Sequence, residues 1–386
     1  MTDMSGSDMK TCVEYDILLQ HILGIGNGRI NAILEHFKSS EGFCKADTES
    51  IRASGLLTEK QFERFKKTKF SVAEKILSLC RKENISVLGI SDSAYPQRLR
   101  NIPDPPAVLY YKGILPEIDA LPLFCIVGPR EISPFGEKAA YALARRLSLA
   151  GMTVVGGIAR GGDSAAHEGA MSVRKAGIAV LPSGHKHDYL LETRPMRDKL
   201  LREGGCIISE CPPEMKITRN SFHIRNRILS GLALGTAVIE AGERSGALIT
   251  ARHAAEQGRD VFVIPGNPTL PQYKGSNRLI ADGAKPLLDA KSILLEYTAQ
   301  FGDAIDIDRA FAKRENNGNK KTFQKKSCET LSKKAKIVYN SLDKPKFMLD
   351  ELVATGLSDD ELLFAITELE MNGLAEQLPG GFYTLK

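Results

Sequence analysis

Two kinds of hydrophobic spacing divide the chain. From residue 10 to about 80, apolar positions recur every three or four residues, in "VEYDILLQHIL" (13–23), "GRINAILEHF" (28–37) and "TEKQFERFKK" (58–67). That is the period of amphipathic helices. From Leu123 to Ala290 short, β-branched apolar runs take over: "LFCIVG", "MTVVGG", "GIAVLP", "CIISE", "TAVIE" and "DVFVIP". Helical stretches separate them: "PFGEKAAYALARRLSLAG", "GDSAAHEGAMSVRKA", "TRPMRDKLLREGG", "RNRILSGLAL" and "SGALITARHAAEQG". Continuous apolar strands alternating with helices predict an α/β fold, a doubly wound parallel sheet covered on both faces. The ligand of such a sheet sits beyond the carboxyl ends of its strands.

The remaining segments break both patterns. Residues 84–116 carry Pro96, Pro103, Pro105 and Pro106, which predicts an extended connector anchored by Leu109, Tyr110 and Tyr111 rather than a helix. Residues 301–330 are polar and read as a linker. In 331–386 a helix signal, "LSDDELLFAITELEMNGL", opens on a capping box of Ser358 and Glu361. Two short strands around "PGG" (379–381) follow it, an order that resembles a winged helix. The chain thus divides into a helical domain (10–82), an α/β domain (84–296), a linker (301–330) and a winged-helix-like domain (331–386).

Charge adds a partner class. The net charge of the 386 residues is only +5, but residues 124–290 hold 22 Lys+Arg against 16 Asp+Glu, and 15 of the 22 are arginines. The planar guanidinium fork suits phosphate. The tail has the opposite sign: residues 331–386 hold 6 lysines, no arginine and 9 acids. Phosphates are repelled from "SDDELLFAITELEMNG", so this helix is expected to contact protein or the chain's own α/β domain. The absence of an 18-residue apolar run predicts no membrane span, and "MTDMSGSDMK" has no secretory core. Seven cysteines without a C-x-x-C predict neither a disulfide framework nor a zinc knuckle, and fit reduced thiols in a cytoplasm.

The candidate chemistry lies in the loops after the strands. "VGPR" places Gly128 and Arg130 after one strand; Gly157, Arg160 and Gly161 follow another; Arg244, Ser245 and Gly246 precede a helix start; Arg225, Asn226 and Arg227 sit just inside another. Glycine-rich bends at helix starts let backbone N–H groups approach an anion. Their recurrence along one sheet edge describes a track for a polyanion more than a pocket for one small ligand. Asp163 and His167 share a helix face, either as a catalytic pair or as a cap with a loop-holding histidine. The glycine turn Leu23–Gly28, between two helices, fits a phosphate-contacting helix-hairpin-helix or a purely structural turn. No phosphate-binding G-x-x-x-x-G-K-[ST] loop and no G-x-S-x-G occurs, and no acid–histidine pair can be assigned to Ser183. His167, His185 and His187 lack a spaced carboxylate partner, so no metal and no other cofactor is expected.

The segments "CIVGPREISPFG", "VVGGIARGGDSAAHEGAM", "GIAVLPSG", "SFHIRNRILSGLALGTAVIEAGERSGALITARHAAEQGRDVFVIPG" and "GSNRLIADGA" resemble the DprA (Smf) family of bacterial DNA-processing proteins. The resemblance runs from Tyr95 to Ala284, about 190 residues. It implies an extended Rossmann domain, a sterile-alpha-motif-like N-terminal domain and a winged-helix tail. It also implies single-stranded DNA as ligand, RecA loading in natural transformation, a homodimer paired through the segment after Val261, and contact with single-strand-binding protein. Carried over residue by residue, the DNA contacts are Gly128, Arg130, Gly157, Arg160, Gly161, Lys199, Arg225, Asn226, Arg227, Ser245 and Gly246, with Asp163, His167 and Glu240 shaping the loops. Pro129 stands where the family has serine, Gly162 where it has an apolar residue, and "SGHKHDYLLETRPMRDK" departs from its pattern. A second reading comes from the same fold: "GLALGTAVIEAG" matches the nucleotide phosphoribohydrolase and lysine-decarboxylase-like signature at Gly235, Thr236 and Glu240, but not at the paired glycines before them.

Overall fold

The helical period of the first segment is realised as six short helices in the computed structural model: α1 (Cys12–Leu23), α2 (Ile30–Phe37), α3 (Ser40–Lys45), α4 (Thr48–Ser54), α5 (Glu59–Lys67) and α6 (Ser71–Lys82). Local chemistry sets their starts. Asp47 caps α4 by accepting from the Ser50 amide, and Thr58 and Gln61 form a capping box on α5. The structure describes residues 12–173, 175–187, 191–312, 331–342, 346–349, 352, 355–378 and 382–385. The chain forms two compact units that divide after Ala312.

A nine-stranded sheet organises the first unit. In chain order its elements are β1 (Ser86–Gly89), α7 (Gln97–Arg100), β2 (Val108–Gly113), β3 (Leu123–Val127), α8 (Pro134–Leu149), β4 (Thr153–Gly156), α9 (Gly162–Met171), β5 (Ile178–Leu181), α10 (Arg194–Arg202), β6 (Cys206–Ser209), α11 (Ser221–Leu232), β7 (Gly235–Val238), α12 (Ala247–Glu256), β8 (Asp260–Val263), α13 (Lys274–Ala281), β9 (Lys285–Pro286), α14 (Ala290–Phe301) and α15 (Ile307–Phe311). The spatial order is β1-β2-β6-β5-β4-β3-β7-β8-β9. Pairing is parallel from β6 to β9, and β2 and β1 add antiparallel at the other edge. Successive strands step outward from β3 to β6, then the chain returns to the other side of β3 with β7. The order therefore reverses between β3 and β7, which opens a crevice at their carboxyl ends.

Both faces of the central strands are covered, which is why they are apolar without alternation. Cys125 and Val127 pack into one core with Leu19, Ile228 and Ala251, whereas Phe124 and Ile126 pack into another with Leu143, Leu147 and Tyr297. The first core also holds Tyr15, Ile30 and Phe43. The helices at 12–82, expected as a domain of their own, thus share a core with the sheet. The proline-rich connector contributes two strands and the one-turn α7. Its prolines lie outside both strands, and Leu109 and Tyr110 are buried in the sheet rather than laid over a surface. The expected linker also begins later than residue 301. Ile305 and Ala310 are buried in the second core, and the Asp306 amide donates to the Ala150 carbonyl at 2.8 Å. Residues 313–330 lie outside the described residues.

The second unit has the order α16 (Lys333–Ser341), β10 (Lys346–Met348), α17 (Asp359–Met371), β11 (Ala375–Leu378), β12 (Phe382–Leu385). Its sheet is antiparallel, β10-β12-β11, and its core is built from Val338, Tyr339, Phe347, Ile366, Leu369 and Tyr383. Ser358 and Glu361 form the expected capping box. The "PGG" between β11 and β12 lies outside the described residues. Among the described residues no helix is long and apolar enough to cross a membrane.

Candidate nucleic-acid interface

The crevice at the β3/β7 reversal holds an open cavity of about 650 Å³. The loop after β3 brings Gly128, Arg130 and Glu131 to it, the loop after β7 brings Arg244, Ser245 and Gly246, and α11 brings Phe222, Arg225 and Asn226. Arg130, Arg219 and Arg244 are exposed on its rim. The Arg130 guanidinium lies 4.6 Å from the centre of the half-buried Phe222 ring, and Arg225 lies 6.0 Å from it on the buried side. This is an aromatic plate with cations around it. A Cβ at Gly246 would meet nothing within 4 Å, so the backbone leading into α12 is open to a ligand. The N-terminus of that ten-residue helix adds a partial positive charge.

The glycine bend before α9 is built differently from the open anion cradle expected of it. The Gly162 amide donates to the Pro129 carbonyl at 3.1 Å, and a Cβ on Gly162 would lie 2.7 Å from the Gly128 Cα. Gly161 has φ +79° and packs its Cα against the Pro129 carbonyl. These glycines let α9 pack against the loop that carries Arg130; Gly157 and Gly161 are packing positions and do not line the cavity. Gly157 separates Asp163 from Arg225: a Cβ there would overlap Asp163 Oδ2 and lie 2.9 Å from Arg225 Nη1. Burial pushes the Asp163 carboxyl above the usual carboxylate range and the Arg225 guanidinium below its own, and the attraction between them opposes both shifts. Arg225 also donates to the Val180 carbonyl, and Asp163 Oδ2 accepts from the Ala159 amide at 3.3 Å.

Several residues singled out in the sequence lie elsewhere. Arg227 is buried in a fork with Glu210, at 2.7 and 2.9 Å, and its Nε donates to Asp104 at 2.9 Å. It is therefore not a free phosphate contact. The helix starts at Ser221, four residues earlier than the "RNRIL" pattern suggested, so Arg225 and Arg227 sit in its second turn. Arg160 is exposed next to Glu131 at 3.8 Å, outside the cavity, and the exposed Lys199 on α10 does not line it either. Glu240 is fully buried; it accepts from the Ser133 amide at 3.1 Å, from the Ser133 hydroxyl and from the Tyr273 hydroxyl at 2.8 Å. His167 is fully buried, with Nε2 2.9 Å from the Gly157 carbonyl. Asp163 and His167 thus hold the loop and do not pair with each other. Arg219 was missed by the sequence reading; it stands three residues before Phe222 in "TRNSF", a spacing too ordinary to single it out.

The arrangement offers cations to an anion and an aromatic plate to a planar group. Its scaffold has an acid limit set by histidines. Burial holds the His167 and His185 imidazoles down at about 4, against an ordinary value near 6.5. The unfolded chain takes up these protons as pH falls below about 6.5 while the folded chain does not, so stability declines from there toward pH 4. At pH 5 each imidazole costs about 2 kcal/mol. His167→Gln keeps a donor for the Gly157 carbonyl and removes one titration. Denaturant unfolding at pH 7 and pH 5 should therefore show a loss about 2 kcal/mol smaller in the variant than in the wild type; equal losses would mean that His167 is not held neutral.

Known proteins resemble the chain in both of its units. The family model for DNA recombination-mediator protein A matches residues 86–298, and that for the DprA winged helix domain matches residues 325–381. The chain is 34% identical to the DNA processing protein DprA of Bacillus subtilis over 260 residues, covering 66% of this chain and 85% of the relative. It is 29% identical to protein Smf of Synechocystis over 96% of this chain and 98% of the relative. Among solved structures, DNA processing protein A of Streptococcus pneumoniae superposes with a TM-score of 0.65 at 30% identity, covering 75% of this chain and 99% of that one. The Helicobacter pylori protein, whose structure concerns its single-stranded DNA binding mode, superposes at 0.50 with 25% identity, covering 56% of this chain and 96% of that one. A crevice at the strand reversal, lined by arginine-bearing loops, and these matches together place the chain in the DNA recombination-mediator protein A (DprA/Smf) family.

Proposed function

We propose that this protein binds and protects single-stranded DNA along the carboxyl edge of its sheet and loads RecA onto it during natural transformation. The observation that carries the reading is the stack of Arg130 on Phe222 within a rim of exposed arginines. A flexible single strand can lay its phosphates on such a rim and turn a base onto the ring. A stiff duplex keeps its bases paired. The binding acts without turnover, as a grip and a hand-over. The rival phosphoribohydrolase reading needs Glu240 free to act on a ribose. That carboxylate is buried and accepts three hydrogen bonds, which fits a joint between β7, α8 and the loop before α13 better than a reacting group.

If Arg130, Arg160, Arg219 and Arg244 each meet a phosphate, the log–log salt slope of binding is about −2.8. Arg130→Ala should reduce its magnitude by about 0.7 and weaken all sequences alike, while Phe222→Ala should weaken binding without altering the slope. Anisotropy titrations of labelled oligothymidylate against salt measure both; a sequence-selective loss in Arg130→Ala would refute the phosphate role.

A second copy completes the reading. An open groove of about 740 Å³ flanks β8 and β9 at the sheet edge, with Val261, Leu279 and Ala284 among the basic side chains of Arg252 and Lys274. We assign the homodimer contact to it. Sedimentation at micromolar concentration should give a dimer that Leu279→Glu converts to monomer; a wild-type monomer would remove the assignment. For the RecA step, filament growth on DNA coated with single-strand-binding protein should accelerate with this protein and not with Arg130→Ala. Unchanged or slower growth would leave a protective coat only.

A further inference from the structure

α11 is held from one side and turns Phe222, Arg225 and Asn226 toward the cavity on the other. At about 100° per residue, Phe222, Arg225 and Asn226 fall within roughly 100° of arc, the side that lines the cavity. Ile224 and Arg227 fall on the opposite side; Ile224 packs on the glycine turn between α1 and α2, and Arg227 reaches that turn through Asp104. A Cβ on Gly26, whose φ is +62°, would lie 2.5 Å from Ile224 Cγ2, so only glycine fits there. Asp104 links the turn to the helix: Oδ1 accepts from the Gly28 amide at 2.9 Å and Oδ2 from Arg227 Nε at 2.9 Å. Glu210 links it again, taking both Arg227 Nη atoms on its carboxylate and α1 Gln20 Nε2 on its backbone carbonyl at 2.8 Å. Side-chain exposure is 5% for Arg227, 4% for Glu210 and 19% for Asp104. The Gly28 amide, a candidate phosphate contact in the sequence, is engaged by Asp104.

We infer that Arg227, Asp104 and Glu210 are positioning residues: they fix the roll of α11, and through them the α1–α2 turn aims Phe222, Arg225 and Asn226 into the cavity. Side chains reach about 5 Å from a helix axis, so a 20° roll displaces the Phe222 ring by about 2 Å, enough to take it off the Arg130 plane. The inference rests on the DNA-binding reading for its consequence, not for the joint itself.

The test uses the full-length protein carrying Asp104→Asn. Asparagine can still accept from the Gly28 amide but no longer offers Arg227 a charge. Removing a negative charge beside a DNA site would, by long-range electrostatics alone, tighten binding. The positioning role requires the reverse: roughly tenfold weaker binding to a 20-residue oligothymidylate, about 1.4 kcal/mol, with an unchanged salt slope. Gly26→Val, which disturbs Ile224 without altering charge, should reproduce the loss. Hydrogen exchange of the α11 amides in the absence of DNA should accelerate in both variants and stay at the wild-type rate in Arg130→Ala. Tighter or unchanged binding in Asp104→Asn, a reduced slope, or unaltered α11 exchange would overturn the inference. If the wild type binds no single strand while both variants speed α11 exchange, the DNA reading fails and the joint stands.

Discussion

Two guanidinium groups buried in one helix cannot stand uncompensated, and much of the first unit is arranged to answer them. An unpaired buried charge is several kcal/mol unfavourable, so each must meet its opposite or be hydrogen-bonded. Arg227 meets Glu210 and Asp104; Arg225 meets the Val180 carbonyl and has Asp163 nearby across Gly157. These partners come from the end of β5, the segment after β6, the proline-rich connector and the start of α9. Satisfying α11 thus fixes four separate segments relative to one another, and the start of α9 with Asp163 lines the crevice at the strand reversal beside Arg225.

The division of labour among the arginines follows from burial. Buried ones carry structure because their partners are supplied by the protein. Those on the rim have water to lose and a phosphate to gain, so only they can add affinity for a polyanion. Phe222 stands between the two sets, its ring near Arg130 on the wet side and Arg225 on the dry side. The glycines serve this arrangement indirectly. Gly128 and Gly162 let two backbones touch, which presses the α9 start against the loop bearing Arg130.

The second unit obeys the opposite electrostatics. α17 carries Asp359, Asp360, Glu361, Glu368 and Glu370 without a basic residue, and exposes Leu363, Phe364 and Met371. Lys334 answers Glu361 at 2.8 Å, and Glu368 accepts from Ser332 at the start of α16, so part of the acid is used in packing α16 against α17. A helix of this composition offers phosphate no basic partner.

Sequence alone determined the fold class and the loops to watch. Uninterrupted β-branched runs alternating with helices require a sheet covered on both faces, and such a sheet places its ligand at the carboxyl ends, where Arg130, Arg225 and Ser245 were found together. The capping box at Ser358 was equally legible, because its partners are three residues apart. Tertiary structure alone decided which basic residues are free. The partners of Arg227 lie 17 and 123 residues away, and no local pattern encodes such a distance. The same holds for Asp163 and His167, whose spacing suggested a pair although burial turns each toward a different backbone group. It holds too for strands β1 and β2, which a proline-rich segment hides until β6 offers them an edge. Periodicity is a local property of the chain and survives in the sequence; compensation of buried charge is non-local, and exists only once the chain has closed on itself.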